Sequence, residues 1–89
     1  MTVTIEKLKN EDLQKRGVFN WPIWEKDVST FDWFYDSTEE FYVIEGEVEV
    51  TTNDGQKIEF KAGDFVTFPK GVQCTWTVKK PIRKHYNFK

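Results

Sequence analysis

The sequence predicts an all-β protein, a small antiparallel sandwich or closed barrel. Apolar and polar residues alternate with a period of two over most of the chain after residue 30. Turn-forming residues separate these runs about every 8 to 12 positions, as in small sandwiches and barrels. The sequence lacks the regular alternation of strands with helices that would indicate a parallel sheet. An 89-residue chain has room for one domain, so we expect residues 1–89 to form it.

The N-terminal third predicts only short elements. Val3 and Ile5 alternate with polar neighbours, which predicts a short half-buried strand within residues 1–9. Residues 10–17 begin with a helix-capping asparagine, carry two acids in the first turn and end on a glycine. They predict one short helical element of one or two turns at most. The proline within residues 21–24 requires an extended residue before it, which indicates an aromatic lid or edge segment.

The rest of the chain predicts strands joined by four turns. Phe31, Trp33 and Tyr35 share one face of the first of these strands. The later strands alternate in the same way. The turns are predicted at residues 53–55, 62–64, 69–71 and 79–81, each of which contains glycine or proline.

Composition and charge bear on partners and compartment. The 13 basic and 15 acidic residues are interspersed, with a net charge of -2 and no continuous basic stripe, which argues against nucleic acid as a partner. No apolar run reaches membrane-spanning length. A single cysteine cannot form an intramolecular disulfide, and the N-terminus lacks the apolar region of a signal peptide, so we expect a cytoplasmic protein.

Two stretches resemble the two sequence motifs of the cupin family. The stretch EEFYVIEGEVEV resembles the second half of the first motif, in which a glutamate precedes a glycine by seven positions, as Glu39 precedes Gly46. The stretch GDFVTFPKGVQC resembles the second motif, whose glycine, proline and glycine fall at matching intervals. The motifs lie at about residues 31–50 and 63–78. The resemblance implies a small antiparallel cupin-type β-barrel, or jelly roll.

Flanking segments carry a narrower resemblance. The segments WPIWEKDVSTFDWFYDSTE, GVQCTWTV and RKHYNF are similar to small stand-alone cupins grouped with the ureidoglycine aminohydrolase cupin domain. That grouping implies ancestry more than it implies activity.

The residues at the metal-ligand positions of the motifs differ from those of a metal-binding cupin. Such a cupin carries two histidines separated by one residue, then a glutamate, and a third histidine in the second motif. Here Trp33 and Tyr35 stand at the histidine pair, Cys74 stands at the third histidine, and Glu39 alone is retained. Because two donors hold a first-row metal weakly, we expect no tightly bound metal and no cofactor.

Three polar residues are candidates for catalysis, although the sequence does not fix a role for any of them. In cupins the position of Glu39 faces the barrel interior, where burial would make it a candidate general acid or base, whereas the alternative is a surface or amide-bound glutamate. Cys74 is a candidate nucleophile or weak ligand, or else a small buried apolar residue. His85 would pair with Cys74 if the last strand lies beside the Cys74 strand, and is otherwise a residue at the barrel rim. Lys84 and His85 must face opposite sides of a strand, and the sequence leaves open which one faces inward.

The predicted ligand-binding set combines these residues with aromatic ones. It comprises Trp33, Tyr35, Glu39, Cys74, Trp76 and His85. The rings either line a pocket or fill the barrel completely. A remaining pocket would suit a small planar or cationic ligand. Trp21 and Trp24 are expected to cover a barrel opening or to pair with another subunit.

Three functional hypotheses follow, and whether the protein is an enzyme stays open. The first is a metal-independent cupin that binds a small polar metabolite in an aromatic-lined barrel around Glu39. The second, implied by the resemblance, is an aminohydrolase-like enzyme that acts on an amide or ureido compound. The third is an interaction module that forms a homodimer.

Overall fold

The chain folds into an antiparallel β structure with one short helix, which confirms the predicted fold class. The computed structural model describes residues 2–89, so Met1, which falls within the predicted first strand, lies outside the described residues. The elements are β1 (Thr4–Glu6), α1 (Asn10–Lys15), a 3₁₀ turn (Val18–Asn20), β2 (Ile23–Lys26), β3 (Ser29–Phe34), β4 (Glu39–Thr52), β5 (Lys57–Lys61), β6 (Phe65–Phe68) and β7 (Gln73–Phe88).

Two long strands organise the sheet. The strand order is β1-β6-β4-β7-β2, with β5 added to β4 and β3 added to β7. Strands β4 and β7 have 14 and 16 residues and pair along their length, from Glu39 opposite Phe88 to Thr52 opposite Cys74. Because β2, β3 and the start of β4 all pair with β7, side chains from four strands meet over one part of the sheet.

A bulge at Gly46 changes which side chains of β4 face the core. Phe41 and Val43 are buried before it, and Val48 and Val50 are buried after it, so the inward face moves from odd to even positions. Gly46 has a φ of 105°, and a Cβ added there would lie 2.4 Å from a backbone carbonyl oxygen of β7. The motif glycine is therefore required by close backbone contact and by a left-handed conformation.

The prediction of a turn at residues 79–81 is wrong. Strand β7 continues through these residues, and Pro81 lies at the irregular part of the β4–β7 ladder, opposite Gly46. A proline is tolerated in a strand at such a bulge because no regular ladder hydrogen bond is required of it. The turns predicted at residues 53–55, 62–64 and 69–71 are confirmed, and each contains a glycine with positive φ.

The N-terminal segment forms a small cluster apart from the main core. Helix α1 confirms the predicted helical segment, although its N-cap is Lys9 instead of the predicted asparagine. Strand β1 is exposed, not half-buried as predicted, and the 3₁₀ turn is an additional element. Leu13, Val18 and Phe65 are buried together here, with Trp21 packed against them. None of the helices within residues 2–89 has the length and apolar character needed to cross a membrane.

Aromatic rings fill one half of the barrel. Phe41, Phe60 and Phe68 are at most 2% exposed. Phe68 stacks on Phe41 with ring centroids 6.0 Å apart and on Tyr35 at 4.8 Å. Trp76 packs against Phe60 at 5.4 Å. These contacts leave no room for a ligand among the phenylalanines, and open space inside the barrel begins beyond Tyr35 and Trp76.

Candidate functional site

A cavity of about 230 Å³ occupies the other half of the barrel. Its lining residues, mostly aromatic, are Trp24, Phe31, Trp33, Tyr35, Glu39, Trp76, Lys84, Tyr86 and Phe88. Trp33 and Phe88 are each 45% exposed and form its rim, whereas Trp76 is buried and forms an inner wall. The cavity is therefore an apolar pocket that opens between two exposed rings.

Three polar side chains form a buried hydrogen-bonded group, the Glu39–Lys84–Tyr35 cluster. The Tyr35 hydroxyl donates to Glu39 Oε1 at 2.7 Å, and Lys84 Nζ donates to Glu39 Oε2 at 2.8 Å. All three side chains are buried. Each carboxylate oxygen of Glu39 thus accepts one internal bond and retains a second acceptor direction.

Strand pairing explains why these groups meet. Glu39 is the first residue of β4 and lies opposite Phe88 of β7. Lys84 lies between Trp24 of β2 and Val43 of β4, and it belongs to the inward row of β7 with the fully buried Ile82. The structure thus answers the question that the sequence left open, because Lys84 faces inward.

The Lys84 ammonium is surrounded by aromatic rings. Its Nζ lies 4.0 Å from the ring centroid of Phe41, 4.8 Å from that of Trp76 and 4.9 Å from that of Trp24. These distances are those of cation–π contacts. Burial lowers the pKa of Lys84, although the Glu39 carboxylate acts in the opposite direction. The amine therefore loses its proton more easily than an exposed lysine does.

Two further groups of the site are hydrogen-bond donors. Burial raises the pKa of Tyr35 far above its ordinary value, and the Glu39 carboxylate raises it further, so the hydroxyl stays protonated. The indole Nε1 of Trp76 is buried without a hydrogen-bond partner among the described residues, although it lies near the Tyr35 hydroxyl and the Cys74 thiol. A buried donor without an acceptor costs free energy, and a bound acceptor would remove that cost.

Four of the six predicted ligand-binding residues border the cavity: Trp33, Tyr35, Glu39 and Trp76. Cys74 does not border it. Its Sγ lies 3.5 Å from the Trp33 backbone oxygen, and burial raises the pKa of the thiol to about 11. The thiol is therefore protonated at neutral pH, which is the wrong state for a nucleophile.

His85 also lies outside the cavity. Its Nδ1 is 2.9 Å from the Trp21 backbone oxygen, and its ring packs edge-on against Phe19. Cys74 and His85 belong to the same strand, not to neighbouring strands, and they pair with different residues of β4. The structure does not bring the two residues together.

The predicted ligand-binding set leaves out five residues that border the cavity. They are Trp24, Phe31, Lys84, Tyr86 and Phe88. Phe31 has the same parity as Trp33 and Tyr35, so the alternation already indicates it. The alternation also indicates that the even-numbered residues of β7 face inward. The turn predicted at residues 79–81 interrupted this series of inward residues before Lys84.

The donors at this site do not fit a metal ion. Within residues 2–89, no group of three or more His, Cys, Asp or Glu side chains could hold one. Glu39, the one retained motif ligand, is already bonded to the Lys84 ammonium, whose positive charge would repel a metal at the same oxygen. The cation beside Glu39 in this barrel is the ammonium group of Lys84.

Comparisons with known proteins agree with this fold. A crystal structure of a DUF861 family protein from Thermotoga maritima matches with 56% identity and a TM-score of 0.97, over 99% of this chain and 100% of that one. The Clostridium difficile EutQ protein matches with 29% identity and a TM-score of 0.68, over 74% of this chain and 52% of that one.

A putative ethanolamine utilization protein Q from Salmonella typhimurium shares the fold, with 24% identity and a TM-score of 0.67 over 99% of this chain and 69% of that one. None of the curated proteins matches this chain. The narrower grouping with ureidoglycine aminohydrolase cupins stays a prediction. The profile of the EutQ-like cupin domain matches residues 13–86, so the chain belongs to the EutQ-like cupin family.

Proposed function

We propose that this cupin domain binds a small, neutral, planar metabolite in the aromatic-lined cavity, without a metal, and that the Glu39–Lys84–Tyr35 cluster holds its polar edge. The observation that carries the proposal is a buried ion pair at the wall of an otherwise apolar cavity. Burying two charges costs desolvation free energy, and a well-packed apolar pair at the same place is often as stable. A role in binding explains why charges are retained there.

The size and walls of the cavity favour a flat ligand with a single ring. A volume of about 230 Å³ lies below the ~300–1,000 Å³ of pockets for drug-sized molecules. The flat faces of the lining rings favour stacked or edge-on contacts with another planar group. A compact conjugated molecule satisfies both conditions.

The charges of the cluster favour a neutral ligand over the cationic one that the sequence also allowed. The Lys84 ammonium already lies against the aromatic walls, so a second cation would meet a like charge in a poorly solvated place. The pair as a whole is neutral and gives an anion no net attraction. A carbonyl oxygen can instead accept from Lys84 or from the buried Trp76 Nε1, while an N–H of the ligand donates to Glu39.

Neither alternative function has an observation in its favour. The aminohydrolase hypothesis needs assistance from Cys74 or His85, and both lie outside the cavity. The binding proposal requires only the groups that line the cavity. We propose that the protein acts in the cytoplasm.

Three probes of almost the same shape test the proposal. Benzamide is neutral, benzamidine is a cation and benzoate is an anion at neutral pH. In calorimetric titrations we expect benzamide to bind about tenfold more tightly than either charged probe, equivalent to about 1.4 kcal/mol. A Trp33→Ala variant should weaken benzamide binding by removing one rim ring. Equal or tighter binding of benzamidine, or no binding of any probe, would contradict the proposal.

A further inference from the structure

We propose that Lys84 is a nucleophilic amine that forms a reversible imine with the carbonyl carbon of an aldehyde or ketone bound in the cavity. This inference rests on the proposed function, because it uses the same cavity and the same planar ligand class. It adds a covalent step and restricts the ligand to one that carries an electrophilic carbonyl.

The placement of Lys84 differs from that of every other lysine. The chain has eleven lysines, and the other ten are exposed, whereas Lys84 is 4% exposed and borders the cavity. A carbonyl compound that enters the cavity therefore meets this amine at short range. Holding two reacting groups together in this way removes much of the entropic cost of their reaction.

The surroundings of Lys84 favour the neutral amine that nucleophilic attack requires. Aromatic rings replace water around Nζ, and this burial lowers the pKa of Lys84. Desolvation in an apolar pocket is an established way in which proteins activate lysines for imine formation. An exposed lysine, which stays charged at neutral pH, lacks this activation.

Glu39 lies where a proton acceptor and donor is needed. Its Oε2 is 2.8 Å from Lys84 Nζ, a distance suited to direct proton transfer. The Tyr35 hydroxyl holds Oε1 at 2.7 Å and fixes the orientation of the carboxylate. The Nε1–H of Trp76, which has no hydrogen-bond partner within residues 2–89, can donate to the carbonyl oxygen during the addition.

The reaction balances without a further reactant. The Lys84 ammonium gives one proton to Glu39, and the neutral amine adds to the carbonyl carbon, forming a C–N bond. The carbonyl oxygen takes one proton from the new ammonium nitrogen and a second from Glu39, after which the C–O bond breaks and water leaves. The products are water and a protonated imine, whose positive charge lies beside the regenerated Glu39 carboxylate. Reversal of the same steps releases the carbonyl compound.

Reductive trapping tests the inference on the intact protein. Benzaldehyde fits the same cavity as benzamide and carries the electrophilic carbonyl. With cyanoborohydride present, we expect a stable benzyl adduct on Lys84, located by peptide mass spectrometry, that forms about tenfold or more faster than any adduct on the exposed Lys79. Lys84→Arg keeps a positive charge beside Glu39 and should abolish this adduct, whereas Lys79→Arg should leave it unchanged.

Competition within the wild-type protein removes any dependence on how well the variants fold. Excess benzamide should protect Lys84 from labelling without protecting Lys79. If benzamide binds but benzaldehyde labels Lys84 no faster than Lys79, the imine is overturned while the binding proposal stands. If benzamide neither binds nor protects, the proposed function itself fails.

Discussion

The two halves of this barrel are both built from aromatic rings, yet they are packed in opposite ways. In one half Phe41, Phe60 and Phe68 are almost fully buried and contact one another directly. In the other half Trp33 and Phe88 remain 45% exposed around a cavity. Strand alternation determines which rings face the interior of both halves, but it does not determine whether those rings pack against one another or leave a cavity.

The boundary between the halves explains the difference. Tyr35 and Trp76 contact the packed phenylalanines on one side and border the cavity on the other. Beyond them lie Glu39 and Lys84, a buried ion pair that occupies the place where the other half has packed apolar rings. The packed half stabilises the fold, and we assign the open half to binding. Substitutions in the two halves should therefore separate stability from binding.

The largest expected effect lies in the packed half. Phe68→Ala removes a fully buried ring that stacks on Phe41, Tyr35 and Trp76. We expect a loss of about 3–5 kcal/mol in the free energy of unfolding, measured by urea denaturation. A loss below about 1 kcal/mol would show that this half is not the stabilising core.

A single substitution in the cluster should cost somewhat less. Lys84→Ala leaves the Glu39 carboxylate buried without its cation, and we expect a loss of about 3 kcal/mol. The double variant Glu39→Gln with Lys84→Met removes both charges. Its free energy of unfolding should lie within about 1 kcal/mol of the wild-type value or above it. Benzamide binding should be lost in the double variant despite its stability. Retained binding would show that the cluster is structural only.

At the rim of the open half, the effect on stability should be small. Trp33→Ala removes a ring that is 45% exposed, so we expect a change of less than about 1 kcal/mol in the free energy of unfolding. Binding of benzamide should weaken by about tenfold or more in calorimetric titration. Strong destabilisation of this variant would show that Trp33 contributes to the packed core, contrary to its assignment to the rim of the cavity.

The last expected effect concerns Cys74 and appears only at high pH. Burial raises the pKa of its thiol from 9.0 to about 11, so the unfolded chain loses this proton first as pH rises. The stabilising contribution is complete below pH 9 and is lost between pH 9 and about 11. The difference in unfolding free energy between wild type and Cys74→Ala should shrink over that interval. A difference that stays constant over that interval would contradict the assigned burial effect.

The sequence predicts the fold because turns and strands follow from local patterns. Glycines at turns and alternation within strands predict the antiparallel β structure. The interior position of Glu39 and the inward parity of Trp33, Tyr35 and Trp76 come instead from the resemblance to the cupin motifs.

The remaining features depend on contacts between distant residues. Residues 79–81 have the composition of a turn, but the bulge at Gly46 lets β7 continue past Pro81, and this continuation carries Lys84 into the cavity. Whether the rings leave a cavity depends on how Phe41 and Phe68 stack, which alternation does not specify. The partner of Glu39 therefore became visible only in three dimensions.

The most direct test of the binding site uses the indole N–H signals of the four tryptophans in a two-dimensional ¹H–¹⁵N NMR titration with benzamide. Trp24, Trp33 and Trp76 line the cavity, whereas Trp21 packs in the N-terminal cluster and serves as an internal control. The proposal predicts saturable shifts of the three cavity signals and an unchanged Trp21 signal. Shifts of Trp21 alone, equal small shifts of all four signals, or no shifts would contradict a binding site in the open half of the barrel.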